Sequence, residues 1–99
     1  MLDEVQSVFE EFKQEMFKKF SERLNKEDNT AAPWNFDIDT LEKRFSDEVL
    51  EFQESYSYYY YASSKEEEER AKREMLEEII DVANFCLFLW AKLKKEADA

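Results

Sequence analysis

The sequence predicts an all-α fold: a short bundle of three main helices in a single domain over residues 1–99. Three observations lead to this prediction. The chain has no glycine and a single proline, and its apolar residues recur at three- and four-residue steps. Without glycine, the tight turns of β-hairpins are hard to build. Hydrophobic residues make up 43% of the chain, enough for one modest core at this length.

The first predicted helix covers about residues 2–24. Its apolar residues form one stripe, namely Leu2, Val5, Phe9, Phe12, Met16, Phe20 and Leu24. The polar segment 25–37, around Pro33, interrupts the pattern and is predicted to be the main loop. This loop carries two aromatic residues, Trp34 and Phe36.

The second predicted helix begins at Asp39, which forms a capping-box pattern with Glu42 three residues later. Its apolar stripe consists of Leu41, Phe45, Val49, Phe52, Tyr56 and Tyr59. This stripe is wide enough to pack one side of the helix against a neighbour.

The third predicted helix begins at the serine pair 63–64 and runs to about Lys95. Its capping pair is either Ser64 with Glu67 or Ser63 with Glu66. Two neighbouring apolar stripes follow it, one formed by Met75, Ile79, Val82, Cys86, Leu89 and Leu93, the other by Leu76, Ile80, Ala83, Leu87 and Trp90. A helix that is apolar on most sides is buried on most sides, which makes Cys86 a small core residue. Because two short helices cannot cover it, we expect a homodimer to complete the bundle, with a dimer of dimers as the alternative.

The formal net charge of −11 argues against nonspecific nucleic-acid binding and against adhesion to anionic membranes. The apolar run 79–90 is shorter than the ~20 residues that a membrane span needs. The N-terminal residues lack the pattern of a signal peptide, and a single cysteine is typical of a reducing compartment. We therefore expect a soluble, cytoplasmic protein with neither a nucleic-acid nor a membrane partner.

Two polar residues, Asp81 and Asn84, interrupt the apolar run IIDVANFCLFLW at 79–90. A buried charge is strongly unfavourable unless it is paired or bound to a metal. Glu78 lies one turn before Asp81, on the same face of the helix. Glu48 and Glu51 have the same spacing on the second helix, beside its apolar stripe. If the two helices pack antiparallel, the four carboxylates converge.

Four converging carboxylates would repel one another and raise their pKa values, and a divalent cation removes the repulsion. Oxygen ligands suit Mg²⁺, with Mn²⁺ as a substitute. Since the chain has no histidine, Glu-x-x-His di-iron sites are excluded. We therefore expect the partner of Asp81 to be a metal cation rather than a lysine. A solvated acidic helix face remains the alternative, above all for Glu48 and Glu51, because acidic residues are abundant throughout the chain.

The motif Glu48-Val-Leu-Glu51, followed after residues 52–77 by Glu78-Ile-Ile-Asp81, resembles the signature of MazG-like nucleotide pyrophosphohydrolases. These enzymes belong to the all-α NTP pyrophosphatase superfamily, and the resemblance covers about residues 30–95. It implies Mg²⁺-dependent hydrolysis of a nucleoside triphosphate to the monophosphate and pyrophosphate, in nucleotide-pool housekeeping. The four acids would be the metal ligands. Glu48 and Glu51 would also orient or deprotonate the attacking water.

Given a nucleotide substrate, three residues are candidates for contacts with it. Asn84 would hydrogen-bond the sugar or a phosphate, Trp34 would close over a base, and Tyr58 would stack on it. Trp34 as a hydrophobic anchor of the loop, and the tyrosine run 56–62 as core or dimer packing, are the alternatives. The sequence does not show which residues bind the phosphates. The candidates are four cations, namely Arg70, Lys72, Arg73 and Lys92. The alternative is that these side chains are solvated or form ion pairs along the helix.

A noncatalytic function is the competing hypothesis. An acidic helical protein that mediates oligomerisation or interaction, or that mimics nucleic acid, would explain the net charge equally well. It would not explain an acid and an amide inside an apolar run, or a second acidic pair at matching spacing.

Overall fold

All three predicted helices form, together with one short 3₁₀ turn. The computed structural model describes residues 1–27 and 32–99, with the side chains of 24–31 excepted. Helix α1 spans Leu2–Glu27, the 3₁₀ turn spans Pro33–Asn35, α2 spans Ile38–Tyr60 and α3 spans Lys65–Ala97. The predicted all-α class is therefore confirmed. The side chain of Leu24 and residues 28–31 of the predicted loop lie outside the described residues.

Helix α2 is capped by Asp37, so the prediction of Asp39 as its cap was wrong. The Asp37 carboxylate accepts a hydrogen bond from the Thr40 backbone N–H at 3.1 Å, whereas Asp39 lies inside the first turn. Both aspartates carry the same capping chemistry. The backbone decides between them, because residue 37 is extended and the helix begins at the next residue.

Helix α3 is capped by Ser64, which confirms the first of the two predicted pairs. The Ser64 hydroxyl accepts a hydrogen bond from the Glu67 backbone N–H at 3.1 Å. The Glu67 carboxylate in turn accepts hydrogen bonds from the backbone N–H and the hydroxyl of Ser63, the residue before the cap. Three of the first helical residues are glutamates, whose charge suits the positive end of the helix dipole.

Helices α2 and α3 form an antiparallel hairpin joined by residues 61–64. Near the connection, the Lys72 ammonium lies 5.8 Å from the centre of the Tyr59 ring. Farther from it, Leu41 packs with Phe85 and Phe88. Earlier positions of α2 therefore face later positions of α3, and this register sets the middle of α2 against residues 78–81.

The core of the chain is small and lies at the open end of the hairpin. Leu41, Phe85 and Phe88 are 0%, 4% and 3% exposed. Phe20 brings α1 onto this core, with its ring centroid 5.6 Å from that of Phe88. The other partly buried residues that pack here are Trp34, Phe45 and Leu89.

Much apolar surface remains exposed in the single chain. The hydrogen bonds and the ring contact between α1 and α3 lie at Met16, Lys19 and Phe20. Nearer the start of α1, Leu2, Val5, Val8 and Phe9 are between 59% and 81% exposed. On α3, one apolar stripe is also largely exposed, at Leu76, Leu87 and Trp90. Despite this surface, no helix in the described part of the chain combines the length and apolar character of a membrane span.

The single chain leaves much of α3 uncovered, as expected if two short helices cannot cover it, and its burial by a second copy stays a prediction. The expectation of Cys86 as a core residue was wrong for the single chain. Cys86 is exposed. Helix α2 covers one side of α3, and α1 adds only a short crossing against residues 77–88. The rest of α3 therefore faces outwards.

The cap of α3 provides a test of this local structure. Replacing Ser64 by Ala leaves one backbone N–H of the first turn without its acceptor, and we expect a loss of about 1 kcal/mol in the free energy of unfolding. Ser57→Ala is the matched control, because the Ser57 hydroxyl only donates to the Gln53 carbonyl within α2. Urea denaturation measures both variants. Equal stability of Ser64→Ala and the parent chain would contradict the assignment of the cap.

Candidate functional site

Three of the four predicted acids converge between α2 and α3. One carboxylate oxygen from each of Glu48, Glu78 and Asp81 lies within 4.8 Å of the other two. The fourth acid, Glu51, is exposed but close enough to hydrogen-bond with Glu48 and with Glu78. The antiparallel register and the three-residue spacing on each helix bring these groups together. We call Glu48, Glu51, Glu78 and Asp81 the acidic cluster.

Two oxygens of the acidic cluster are buried without a partner. Glu48 Oε2 and Glu78 Oε2 accept no hydrogen bond from any residue that the structure describes. Buried carboxylate oxygens are nearly always hydrogen-bonded or bound to a cation. Mg²⁺ and Mn²⁺ prefer oxygen ligands of this kind, so the donor set fits a hard divalent cation.

The acidic cluster also changes the pKa values of its members. Burial is the largest cause that raises the pKa of Glu78 from 4.5 to about 7, and a hydrogen bond and the negative charge of Glu51 add to it. Burial likewise raises the pKa of Glu48, followed by the charge of Asp81, while Arg23 opposes the shift. At neutral pH and without a metal, Glu78 is therefore protonated in a fraction of the molecules.

Asp81 is paired with a lysine, which contradicts the expectation that its partner would not be one. The Lys19 ammonium on α1 donates to Asp81 Oδ2 at 2.8 Å and to the Glu77 carbonyl oxygen at 3.1 Å. Only 15% of the Asp81 side chain is exposed, so this ion pair is partly buried. The prediction failed because Lys19 and Asp81 are 62 residues apart, and the periodicity of α3 does not show where α1 crosses it.

A cleft of about 570 Å³ opens beside the acidic cluster, lined by Lys19, Phe20, Glu22, Arg23, Asp81, Asn84 and Phe88. Lys19 and Arg23 place two cations on the α1 wall of this cleft. The Arg23 guanidinium also lies 5.6 Å from the centre of the Phe85 ring. Neither cation was predicted from the sequence as a site residue. Each directly precedes a residue of the α1 stripe, which is the signal that places them at the edge of the buried face.

Asn84 borders the same cleft, but its side chain has a structural contact. It is 6% exposed, and its amide nitrogen donates to the Met16 carbonyl oxygen of α1 at 3.2 Å. This bond holds α1 against α3 next to the ion pair of Lys19. A contact between Asn84 and a substrate stays a prediction.

The two predicted aromatic residues lie at opposite ends of the hairpin. Trp34 packs on the core, with the Lys95 ammonium 5.7 Å from the centre of its ring. Tyr58 is 67% exposed and lies about 15 Å beyond Glu48 along α2. In a single chain neither ring is next to the acidic cluster. The position of Trp34 matches its alternative role as an anchor.

The four cations proposed from the sequence also lie away from the acidic cluster, about 12–17 Å from Asp81 along α3. Lys72 pairs with Glu68 and Glu69 on its own helix, at 3.5 and 3.7 Å. Lys92 pairs with Glu96 at 3.7 Å. For these two lysines, pairing along the helix is what the structure shows. The other two candidates, Arg70 and Arg73, are exposed.

Fold and site together define an all-α protein with a carboxylate cluster between two antiparallel helices and two cations supplied by a third. Over 85 residues, the chain is 36% identical to an uncharacterized protein of Archaeoglobus fulgidus, covering 85% of this chain and 80% of that protein. The chain therefore belongs to the same protein family as this relative. No protein-family model matches the chain, and no solved structure matches it significantly.

The raised pKa of Glu78 predicts a pH-dependent stability of the metal-free protein. The folded pKa of about 7 exceeds the ordinary value of 4.5, so the Glu78 contribution is complete below about pH 4.5 and is lost as pH rises through 7. After solvent screening, we expect this loss to be about 1–2 kcal/mol of unfolding free energy between pH 5 and 8. Urea denaturation with a chelator present measures it.

Glu78→Gln should remove this part of the pH dependence, because the amide does not ionise. Glu74→Gln, an exposed change one turn earlier on α3, alters the net charge equally and should keep the parent profile. Identical pH profiles for the two variants would contradict the burial of Glu78 in the acidic cluster.

Proposed function

We propose that this chain is a Mg²⁺-dependent nucleoside triphosphate pyrophosphohydrolase, which converts a (d)NTP to the (d)NMP and pyrophosphate. The observation that carries the proposal is the pair of buried carboxylate oxygens of Glu48 and Glu78, which belong to facing helices and have no partner among the residues that the structure describes. Their place in the Glu-x-x-Glu and Glu-x-x-Asp motifs, in the pattern of MazG-like enzymes, supports the choice of reaction.

Glu48, Glu78 and Asp81 would hold the Mg²⁺ ion, for which Mn²⁺ can substitute, and Glu51 would join them from the edge. A cation bound there would neutralise phosphate oxygens and lower the pKa of a bound water. The fit rests on an all-oxygen donor set, two of whose oxygens have no other partner in the described part of the chain. Cation binding would also relieve the repulsion that helps to raise the pKa values of Glu48 and Glu78.

Other side chains would activate the attacking water and bind the phosphates. Glu51, the exposed member of the acidic cluster, would orient the attacking water or take its proton, together with Glu48. Water would attack the phosphorus nearest the sugar, and the bond to the leaving pyrophosphate would break. Lys19 and Arg23 on the wall of the cleft would bind the negatively charged phosphates, and Asn84 lies beside them.

We further propose that the chain is a homodimer, with a dimer of dimers as the alternative. The exposed apolar residues of α1 and α3 form more apolar surface than soluble monomers usually leave uncovered. Because the core of one chain is so small, its stability needs a partner that is always present, and a second copy meets this need. Aromatic residues that are remote from the acidic cluster in one chain can approach it from the other.

A role in nucleotide-pool housekeeping in the cytoplasm, where nucleoside triphosphates are made and used, is part of the proposal. The net charge of −11 and the exposed apolar surface also favour a second candidate, a noncatalytic acidic interaction protein. A noncatalytic function of this kind gives no role to the carboxylate oxygens of Glu48 and Glu78 that have no partner among the described residues. Turnover distinguishes the two functions.

The activity is tested by incubating the protein with each dNTP and NTP plus Mg²⁺ and measuring pyrophosphate. We expect release from at least one nucleotide and a loss of about 100-fold or more in Glu48→Gln, because a metal ligand is removed. The control is Asp47→Asn, an exposed change at the adjacent position, which should keep full activity. No pyrophosphate from any nucleotide, or an active Glu48→Gln, would refute the proposed function.

The oligomeric state is tested by light scattering coupled to gel filtration. We expect twice or four times the chain mass of 12.0 kDa. Leu87→Asp places a charge in the exposed apolar stripe of α3 and should give a monomer or an unfolded chain. Lys65→Asp introduces the same acid at the exposed start of α3 and should leave the mass unchanged. A parent chain that elutes as a stable monomer would contradict the dimer.

A further inference from the structure

We propose that Lys19 is an internal counter-cation, which occupies the Asp81 carboxylate in the metal-free site and leaves it when a divalent cation binds. Once released, its ammonium group can bind a phosphate in the cleft beside the acidic cluster. The second step rests on the proposed function, whereas the first requires only that the cluster binds a cation.

The first step begins with what Lys19 contacts. Its ammonium has three hydrogens and donates to two acceptors, Asp81 Oδ2 and the Glu77 carbonyl oxygen. Its positive charge therefore lies at the edge of the acidic cluster and compensates one of the four acids. Glu48 Oε2 and Glu78 Oε2 are not reached by it and keep no partner among the described residues.

A divalent cation and the ammonium would compete for Asp81. Metal–oxygen distances for Mg²⁺ are about 2.1 Å, so a cation bound to Asp81 would lie within about 7 Å of an ammonium that contacts the same carboxylate at 2.8 Å. Both cations would share a partly buried site, where charges are screened less than in water. Each therefore lowers the affinity of Asp81 for the other, and this coupling is reciprocal.

Lys19 can leave Asp81 without any movement of the backbone. Its side chain is 36% exposed and lines the cleft that also contains Arg23. Towards the start of α1 it also lines a groove of about 610 Å³, together with Glu15 and Leu76. A lysine has a flexible stem, so rotation about its own bonds moves the ammonium from Asp81 into either space. In the cleft that contains Arg23, the released ammonium of Lys19 and the Arg23 guanidinium could bind the same anionic ligand.

A fixed structural role makes a different prediction. If Lys19 only joined α1 to α3, its removal would lower stability but leave the metal affinity unchanged. If Lys19 competes with the metal, its removal raises the affinity for the metal. The Asn84 bond to the Met16 carbonyl oxygen holds α1 in place independently of Lys19, so the two roles can be separated.

Isothermal titration with Mg²⁺ alone, in the absence of nucleotide, tests the proposal. Lys19→Met removes the ammonium but keeps an apolar stem, and it should bind Mg²⁺ on the order of tenfold more tightly than the parent chain. Lys19→Arg keeps the charge and should keep the parent affinity. The matched control is Lys18→Met at the neighbouring exposed lysine, which changes the net charge equally and should also keep it.

Thermal unfolding gives a second readout. Lys19→Met should have a lower metal-free melting temperature than the parent chain and a larger rise on addition of Mg²⁺. If this variant does not fold, Lys19→Gln is a neutral replacement that keeps a hydrogen-bond donor. A neutral variant with unchanged or weaker Mg²⁺ affinity would overturn the proposal, as would the absence of Mg²⁺ binding in all variants.

The result is independent of turnover. Pyrophosphate release by a protein in which the neutral variants bind Mg²⁺ no more tightly would leave the proposed function standing and refute the role of Lys19. If the neutral variants bind Mg²⁺ more tightly but no nucleotide yields pyrophosphate, the role of Lys19 stands and the proposed function is refuted.

Discussion

The antiparallel packing of α2 on α3 around Leu41 determines where every other group of the protein lies. Leu41 is completely buried against Phe85 and Phe88, and this contact sets the register of the hairpin. With that register, Glu48 faces Glu78 and Asp81. A slip by one helical turn would shift one set of acids by about 5.4 Å, more than the spacing of the oxygens in the cluster. Apolar packing thus positions the polar site.

The acidic cluster is unfavourable for the chain that carries it. Two carboxylate oxygens are buried without a partner among the described residues, and the pKa of Glu78 is raised to about 7. A core of this size offers little stability to offset such groups. Strain of this kind is typical of functional sites, where a ligand supplies the missing interaction. The same small core explains the apolar surface that a second copy would cover.

Helix α1 supplies the positive charges that the hairpin lacks at this site. Among its contacts with α3, Lys19 pairs with Asp81, Phe20 packs on Phe88, and Arg23 lies over the Phe85 ring. In a chain with a net charge of −11, these two cations stand next to the acidic cluster. Their positive charge favours an anionic ligand beside carboxylates that would otherwise repel it.

The sequence by itself determined the three helices, limited the cap of α3 to Ser63 or Ser64, and placed Glu78 and Asp81 on one face. Each of these depends on residues within one or two helical turns, and a helical period places them without reference to the rest of the chain. The convergence with Glu48 needed only one further assumption, the antiparallel hairpin.

The tertiary structure alone decided the rest. It paired Asp81 with Lys19, left Glu51 and Cys86 exposed, and placed Trp34 on the core rather than beside the acidic cluster. It also chose Asp37 over a second aspartate with the same capping chemistry. These outcomes depend on where a distant helix crosses and on which side it covers. Packing between remote side chains sets both, and no local period contains that information.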